Sequence, residues 1–454
     1  MNSTAKFKEG RFEIGLLWKS ENAALPDSYP NALRRLMCLQ WKFIKEPALK
    51  IQTQKEIDSL VQKEICPVHL VWDAAAQSGG QSLNDFIHAG PDLFKPLVDL
   101  LISFRAGKVA IIGDIAEMFH QIRVKPEDAH VQRFLCGNDN KEVIEIATQV
   151  RHTHAAGGFY IRNWASNSKT VLSELGGESS STDVEITTAE KVLGLYWIPE
   201  TDHLTFIFEF SRLKRDIWTE NDAPSKRELL QVLMSMYDPY GLIAFYTIEL
   251  KILLQEVWRT LTDWDDCIPE SLLPRWKRWK QALTLIATVK IPRCFFRTNE
   301  DIHDVQLHTF VDASELAYAA VSYLRIHQGN SVYLSLLAAK TKVVPLSPLP
   351  ILRMELQAAV SGAKPSQEIQ TNSRLSVNSH YYWTDCKTVL KWLRMDPRKF
   401  QQYVLHRVGE VLELTNVDQW HRMPSDLNPA DIATKTSSFV SMHKWFDGPE
   451  YLLQ

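Results

Sequence analysis

Along residues 30–64 the apolar positions Leu33, Leu36, Leu39 and Trp41 stand among many charges, and Ile57, Leu60 and Val61 continue the same stripe; the pattern predicts an amphipathic helix. Val68-His69-Leu70-Val71-Trp72 is a short β-rich run, followed by a turn-rich stretch over 73–92 with Gly79-Gly80, Asn84-Asp85 and Gly90-Pro91. A helix is expected over 93–104. Val109-Ala110-Ile111-Ile112 then reads as a buried strand ending on Gly113-Asp114. From Asn138 the composition shifts to a helix pattern over 141–155, closed by Gly157-Gly158, and a loop rich in Gly, Ser and Glu over 174–183. Residues 192–197 and 204–210 read as paired strands around a turn at 199–203.

Helices dominate the next stretch. Ser225 with Glu228 three residues on forms a capping box at the head of a helix over 225–237. Asp238-Pro239-Tyr240-Gly241 breaks it, and further helices are expected over 247–260 and 276–287, so that 215–295 is a helical connector. The last third changes again: strands over 306–311, 318–325 and 332–337, a loop punctuated by Pro345, Pro348 and Pro350, and a helix over 352–363. A strand at 381–383 and helices over 387–393 and 400–413 follow. Three antiparallel strands, a helix, a strand and further helices is an α/β order. No internal repeat is present.

Composition changes this picture little. A chain of 454 residues suggests about three domains. With 51 Lys+Arg against 54 Asp+Glu, the net charge of −3 argues neither for nor against nucleic acid, which needs a local basic track rather than a basic whole. The six cysteines are scattered without a CxxC pair, which fits a reducing compartment and gives no zinc signature. The first ten residues are polar and charged, and the most apolar stretch, 242–254, is interrupted by Glu249 and Lys251. The expectation is a soluble intracellular protein, cytoplasmic or nuclear, with no membrane partner.

Four acids sit at pointed places in the predicted elements. Asp312 ends a strand, Glu355 lies near the start of a helix, Asp385 ends a strand, and Asp431 opens a helix. Any one of these alone is most simply an exposed terminus. Four in the order strand, helix, strand, helix can converge on one pocket, and clustered carboxylates suit hard divalent cations, Mg²⁺ or Mn²⁺.

That order resembles the RNase H fold, and the words around the acids resemble the reverse transcriptase–RNase H region of BEL/Pao-type retrotransposon polyproteins: "HTFVDASELAYAAVSYL", "LRMELQAAVSGAK", "YYWTDCKTVLKWLRMDPRKF" and "WHRMPSDLNPADIATK". The resemblance implies that Asp312, Glu355, Asp385 and Asp431 are catalytic metal ligands. The family has an Arg-His order where this chain has His421-Arg422, a departure that bears on a histidine in product release and on none of the acids.

Upstream, "GRFEIGLLWK", "VHLVWDAAAQSGGQSLNDFIHAGPDL" and "LISFRAGKVAIIGDIAEMFHQIRV" resemble the fingers and first palm motif of the same family, so the likeness covers nearly the whole chain. It implies that Asp114 is the first polymerase aspartate and Phe119 the nucleotide-gate position. The Tyr-x-Asp-Asp hairpin that would carry the other polymerase ligand is absent, as is the Pro-Phe-Gly-like nucleotide-stacking segment; Asp265-Asp266 follows Trp264 in the connector and does not replace the hairpin. His69 stands where the family has an Arg that meets the triphosphate. Trp197, Tyr237 and Trp258 are expected in the core rather than as base-stacking platforms.

The resulting expectation is a multidomain α/β and α+β chain. Residues 1–137 hold a lead with truncated fingers and first palm segment, 138–214 a late palm remnant, 215–298 a helical thumb or connection, and 299–454 an RNase H-like domain. The expected partner is an RNA–DNA hybrid or single-stranded nucleic acid, with polymerase activity lost and a Mg²⁺-dependent nuclease site retained. The alternative is a catalytically inactive remnant or a domesticated protein that only binds nucleic acid or another protein.

Overall fold

A computed structural model of the chain describes residues 5–8, 11–14, 19, 29–51, 77, 79–82, 85, 97–115, 123–124, 140–156, 161–175, 189–192, 194–210, 213, 217–218, 223–260, 262–297, 300–347, 349–372, 375–435 and 442–454. The strand expected at 68–72 and Gly157-Gly158 lie outside these.

The chain divides into two compact units. The first comprises 1–94, 115–132 and 153–160. In chain order the N-terminal elements are β1 (Ala5–Lys8), β2 (Arg11–Ile14), α1 (Tyr29–Lys45), α2 (Leu97–Ala106), β3 (Ile111–Ile115), β4 (Arg123–Val124), α3 (Asn140–Ala156), β5 (Ile161–Ser166) and α4 (Lys169–Glu174). Within the first unit β1, β2 and β4 form a small sheet, antiparallel then parallel.

The second unit holds the rest. Here β3 pairs with β5, and β6 (Glu190–Val192), β7 (Leu195–Ile198) and β8 (His203–Thr205) form a meander. The single strand expected over 192–197 is therefore two. Gly194, at φ +95°, turns the chain between them, a conformation that a residue with a Cβ rarely adopts. Residues 206–210 carry no strand.

The connector follows its local signals closely. In α5 (Lys226–Ser235) both halves of the capping box form: Ser225 Oγ accepts from Glu228 N at 3.2 Å, and Glu228 Oε2 accepts from Ser225 N at 2.7 Å. Asp238 ends that segment and starts the next, its carboxylate accepting from Leu242 N and Ile243 N at 2.9 Å ahead of α6 (Ala244–Arg259). Next come α7 (Leu273–Ile286), with Pro274 in its first turn, and the two-residue β9 (Ile291–Pro292), which joins β8.

The C-terminal sheet consists of β10 (Ile302–Ala313), β11 (Ala317–Gln328), β12 (Ser331–Val343), β13 (Ser379–Thr384) and β14 (Trp420–Arg422), in the order β12-β11-β10-β13-β14. The first three are antiparallel, while β13 runs parallel to β10 and β14 parallel to β13. Its helices are α8 (Ile351–Asn372), α9 (Lys387–Leu393), α10 (Gln402–Leu414) and α11 (Met442–Asp447). Helix α8 lies hard against the sheet because residue 362 is Gly: a Cβ there would stand 2.7 Å from Val311 Cγ1 and 3.1 Å from Thr309 Cγ2. That contact fixes the height of α8, and so of Glu355, over β10.

The other side of the sheet packs on the connector. Phe310, Ala319, Val321 and Tyr323 share one core with Tyr246, Leu250 and Trp279. Tyr323 Oη donates to Trp445 O, and Trp445 Nε1 donates to Leu242 O, both at 2.7 Å. Two fully buried arginines extend the joint. Arg293 binds both oxygens of Asp202, at 2.6 and 2.8 Å, and donates to Phe104 O, Gly107 O and Lys108 O. Arg105 donates to Arg293 O, Pro292 O and Leu336 O, with its guanidinium 4.2 Å from the centre of the Phe295 ring. Helix α2, the β7–β8 turn, β9 and β12 are thus tied by charge-assisted bonds from two buried guanidinium groups.

Candidate functional site

The register of the parallel pair builds the site. His308 pairs with Tyr381 and Phe310 with Trp383, so two residues further on Asp312 and Asp385 come side by side at the strand ends. Glu355, in the second turn of α8, reaches the same point. One ligand atom from each of Asp312, Glu355 and Asp385 lies within 4.8 Å of the other two. Asp431 stands beside this group rather than in it. It does not open an α-helix as expected: Pro429 and the Asn428 side chain, which accepts from Ala430 N at 3.1 Å, wind 429–433 into a 3-10 turn.

Hydroxyls fix the carboxylates. Thr434 Oγ1 donates to Asp312 Oδ2, and Ser425 Oγ donates to Asp385 Oδ2. Lys435 Nζ pairs with Asp431 Oδ1. The 428–435 segment is itself stapled to the end of β10: Asn428 Nδ2 donates to Val311 O at 3.0 Å, and Ser314 Oγ donates to Thr434 O. None of Ser425, Thr434 or Lys435 was singled out from the sequence. All three lie in the quoted 420–435 motif, but a hydroxyl or an ammonium in a loop has no distinguishing pattern.

The electrostatics are those of a crowded acidic site. Burial, then the charges of Asp312 and Asp385, push Glu355 up to about 9. Burial also pushes Asp312 up to about 7; the Thr434 bond opposes the rise, and Asp431 and Asp385 add to it. Glu355 Oε2 is buried with no hydrogen-bond partner among the described residues. A buried carboxylate oxygen left unpaired beside two other acids is costly unless a cation joins them. Oxygens sharing a hard cation stand about 3–4 Å apart. The donor set is all oxygen, so these residues fit Mg²⁺ or Mn²⁺.

Earlier along the same strands, and on β14, runs an aromatic row. His308 stacks on Tyr381, with centroids 4.8 Å apart, and accepts from Trp383 Nε1 at 3.1 Å. Burial, with Arg325 and His421 nearby, holds His308 down at about 3. His421 packs against Trp383 and Tyr381, 5.2 and 5.7 Å between centroids.

Asp114 lies on β3, in the two-stranded β3–β5 sheet, and its side chain, like the whole of Phe119, falls outside the described residues. Of the aromatics expected in the core, Trp197 is fully buried, but Tyr237 and Trp258 are 42% and 49% exposed. Trp258 instead stacks over the Lys226 ammonium, 3.9 Å from the ring centre. Among the described cysteines, Cys38, Cys267, Cys294 and Cys386 are free thiols.

Residues 225–386 match the family model described as the Pao retrotransposon-like RNaseH-like domain. No curated protein matches the chain. Among solved structures, the chain is similar to a foamy viral protease–reverse transcriptase in complex with double-stranded DNA (12% identity, 83% of this chain and 70% of that one, TM-score 0.47). It is also similar to the N-terminal RNase H domain of a Mycobacterium tuberculosis protein (12%, 31% and 99%, TM-score 0.21) and to RNase H1 of Halobacterium salinarum (13%, 28% and 91%, TM-score 0.20).

Proposed function

We propose that this chain, which carries a Pao retrotransposon-like RNaseH-like domain over residues 225–386, is a retroelement-derived nuclease that hydrolyses the RNA strand of RNA–DNA hybrids. One observation carries the reading: Asp312, Glu355 and Asp385 converge within 4.8 Å around a buried Glu355 Oε2 that has no hydrogen-bond partner among the described residues. Divalent cations, Mg²⁺ or Mn²⁺, would supply there an activated water and a stabilised leaving oxygen. The chain's own part is positional. Strands β10 and β13 set the spacing of Asp312 and Asp385, the seat of α8 on Gly362 sets Glu355, and Thr434 and Ser425 hold the carboxylate rotamers. Asp431 is the fourth acid of the site.

The N-terminal part fits a polymerase remnant, with fingers and first palm segment over 1–137, late palm over 138–214, connection over 215–298 and nuclease domain over 299–454. In that reading Asp114 and Phe119 are the surviving polymerase positions, and without the second metal-holding hairpin no primer is extended. Among the described residues no helix is long and apolar enough to cross a membrane, and the proposed setting is the cytoplasm or nucleus. Incubating the full chain with labelled RNA–DNA hybrid, single-stranded RNA and double-stranded DNA, in Mg²⁺ and in EDTA, tests the reading. RNA loss from the hybrid alone, and only in Mg²⁺, is expected. A folded chain that cuts nothing would favour the silent, binding-only alternative.

A further inference from the structure

The three acids that meet within 4.8 Å do not include Asp431, and its carboxylate is already engaged by Lys435. The backbone that carries Lys435 cannot drift, because Thr434 is fully buried and bonded to Asp312, while its carbonyl accepts from Ser314. The ammonium end is different. The Lys435 side chain is 60% exposed on a flexible four-carbon stem, so it can leave Asp431 without disturbing the core. A mobile cation anchored at the rim of an acidic site competes with any other cation for the carboxylate it holds.

We propose that Lys435 is a positioning residue that holds Asp431 away from the three-carboxylate centre and weakens the uptake of a second divalent ion there. The inference rests on the nuclease reading above. The centre formed by Asp312, Glu355 and Asp385 takes the tighter ion, and Asp431 serves the weaker one only when the ammonium withdraws. Substitution that removes the charge frees Asp431; substitution that keeps it does not.

The test is Mn²⁺ binding to the full chain, followed by calorimetry and by the electron-spin signal of free Mn²⁺, for the wild type, Lys435→Gln, Lys435→Arg and Asp385→Asn. Lys435→Gln is expected to tighten the weaker of two Mn²⁺ sites about three- to tenfold, the worth of one exposed charge beside the site, and to leave the tighter site in place. Lys435→Arg should track the wild type, and Asp385→Asn should lose the tighter site. A Lys435→Gln isotherm that overlays the wild type, or one in which both sites tighten equally, overturns the proposal alone. A wild type that binds no Mn²⁺ removes the nuclease reading and this proposal with it.

Discussion

Replacing Glu355 by Gln keeps the side chain's shape and removes its charge, and the structure sets the size of the effect in metal-free buffer. Folding raises this carboxyl from 4.5 to about 9. Between those values the folded chain keeps a proton that the unfolded chain has released, so wild-type stability falls as pH rises. Each pH unit in that window is worth about 1.4 kcal/mol. From pH 5 to pH 8 the wild type therefore loses on the order of 4 kcal/mol through Glu355, and about half that if the site relaxes around the charge. The amide has no proton to lose and escapes the penalty. In EDTA, Glu355→Gln is expected to melt close to the wild type at pH 5 and about 2–4 °C above it at pH 8, since a chain of 454 residues shifts by only about 1 °C per kcal/mol. Adding Mg²⁺ should reverse the order at pH 8, because only the carboxylate gains from the ion. Thermal melts of the full chain at the two pH values, with EDTA and with Mg²⁺, read this directly. An amide variant that melts below the wild type by the same amount at both pH values in EDTA would refute the reasoning, since it would mean that Glu355 is a satisfied structural carboxylate.

Other outcomes follow from the same contacts. Arg293→Met removes the buried guanidinium from three backbone carbonyls and from the partly exposed Asp202, and should cost about 2–4 kcal/mol in denaturant unfolding of the full chain. Residues 299–454 expressed alone lose the connector layer over Phe310, Val321 and Tyr323, and their melting, followed by near-ultraviolet circular dichroism, should be non-cooperative where that of the full chain is sharp. Purified full chain should incorporate no nucleotide on a primed RNA template; incorporation that disappears in Asp114→Asn would contradict the loss of the polymerase site.

Local signals in the sequence carried much of this fold. The Ser225–Glu228 capping box, the break at Asp238 and the helix over 387–393 are found as read, because each rests on contacts within a few residues. The strands were legible in place but not in extent. Along β11 nearly every residue is buried, so a strand of 12 residues shows little alternation to read. The three-residue β14 is too short for any pattern and exists only because β13 pairs with it. Asp312, Glu355 and Asp385 were visible as acids at element ends, but Asp431 depends on a turn set by Asn428 and Pro429, and the exposure of Tyr237 and Trp258 is decided by tertiary packing that residue type does not disclose.

The central claim is that the carboxylate centre binds a divalent ion to cut the RNA of a hybrid. Cleavage of a labelled RNA–DNA hybrid by the full chain in Mg²⁺, wild type beside Asp385→Asn, tests it most directly when paired with the Mg²⁺-dependent rise in melting temperature of each protein. The account predicts that the amide abolishes cleavage and most of the Mg²⁺ shift together while the protein stays folded in EDTA. Equal cleavage and equal shifts for the two proteins would contradict it.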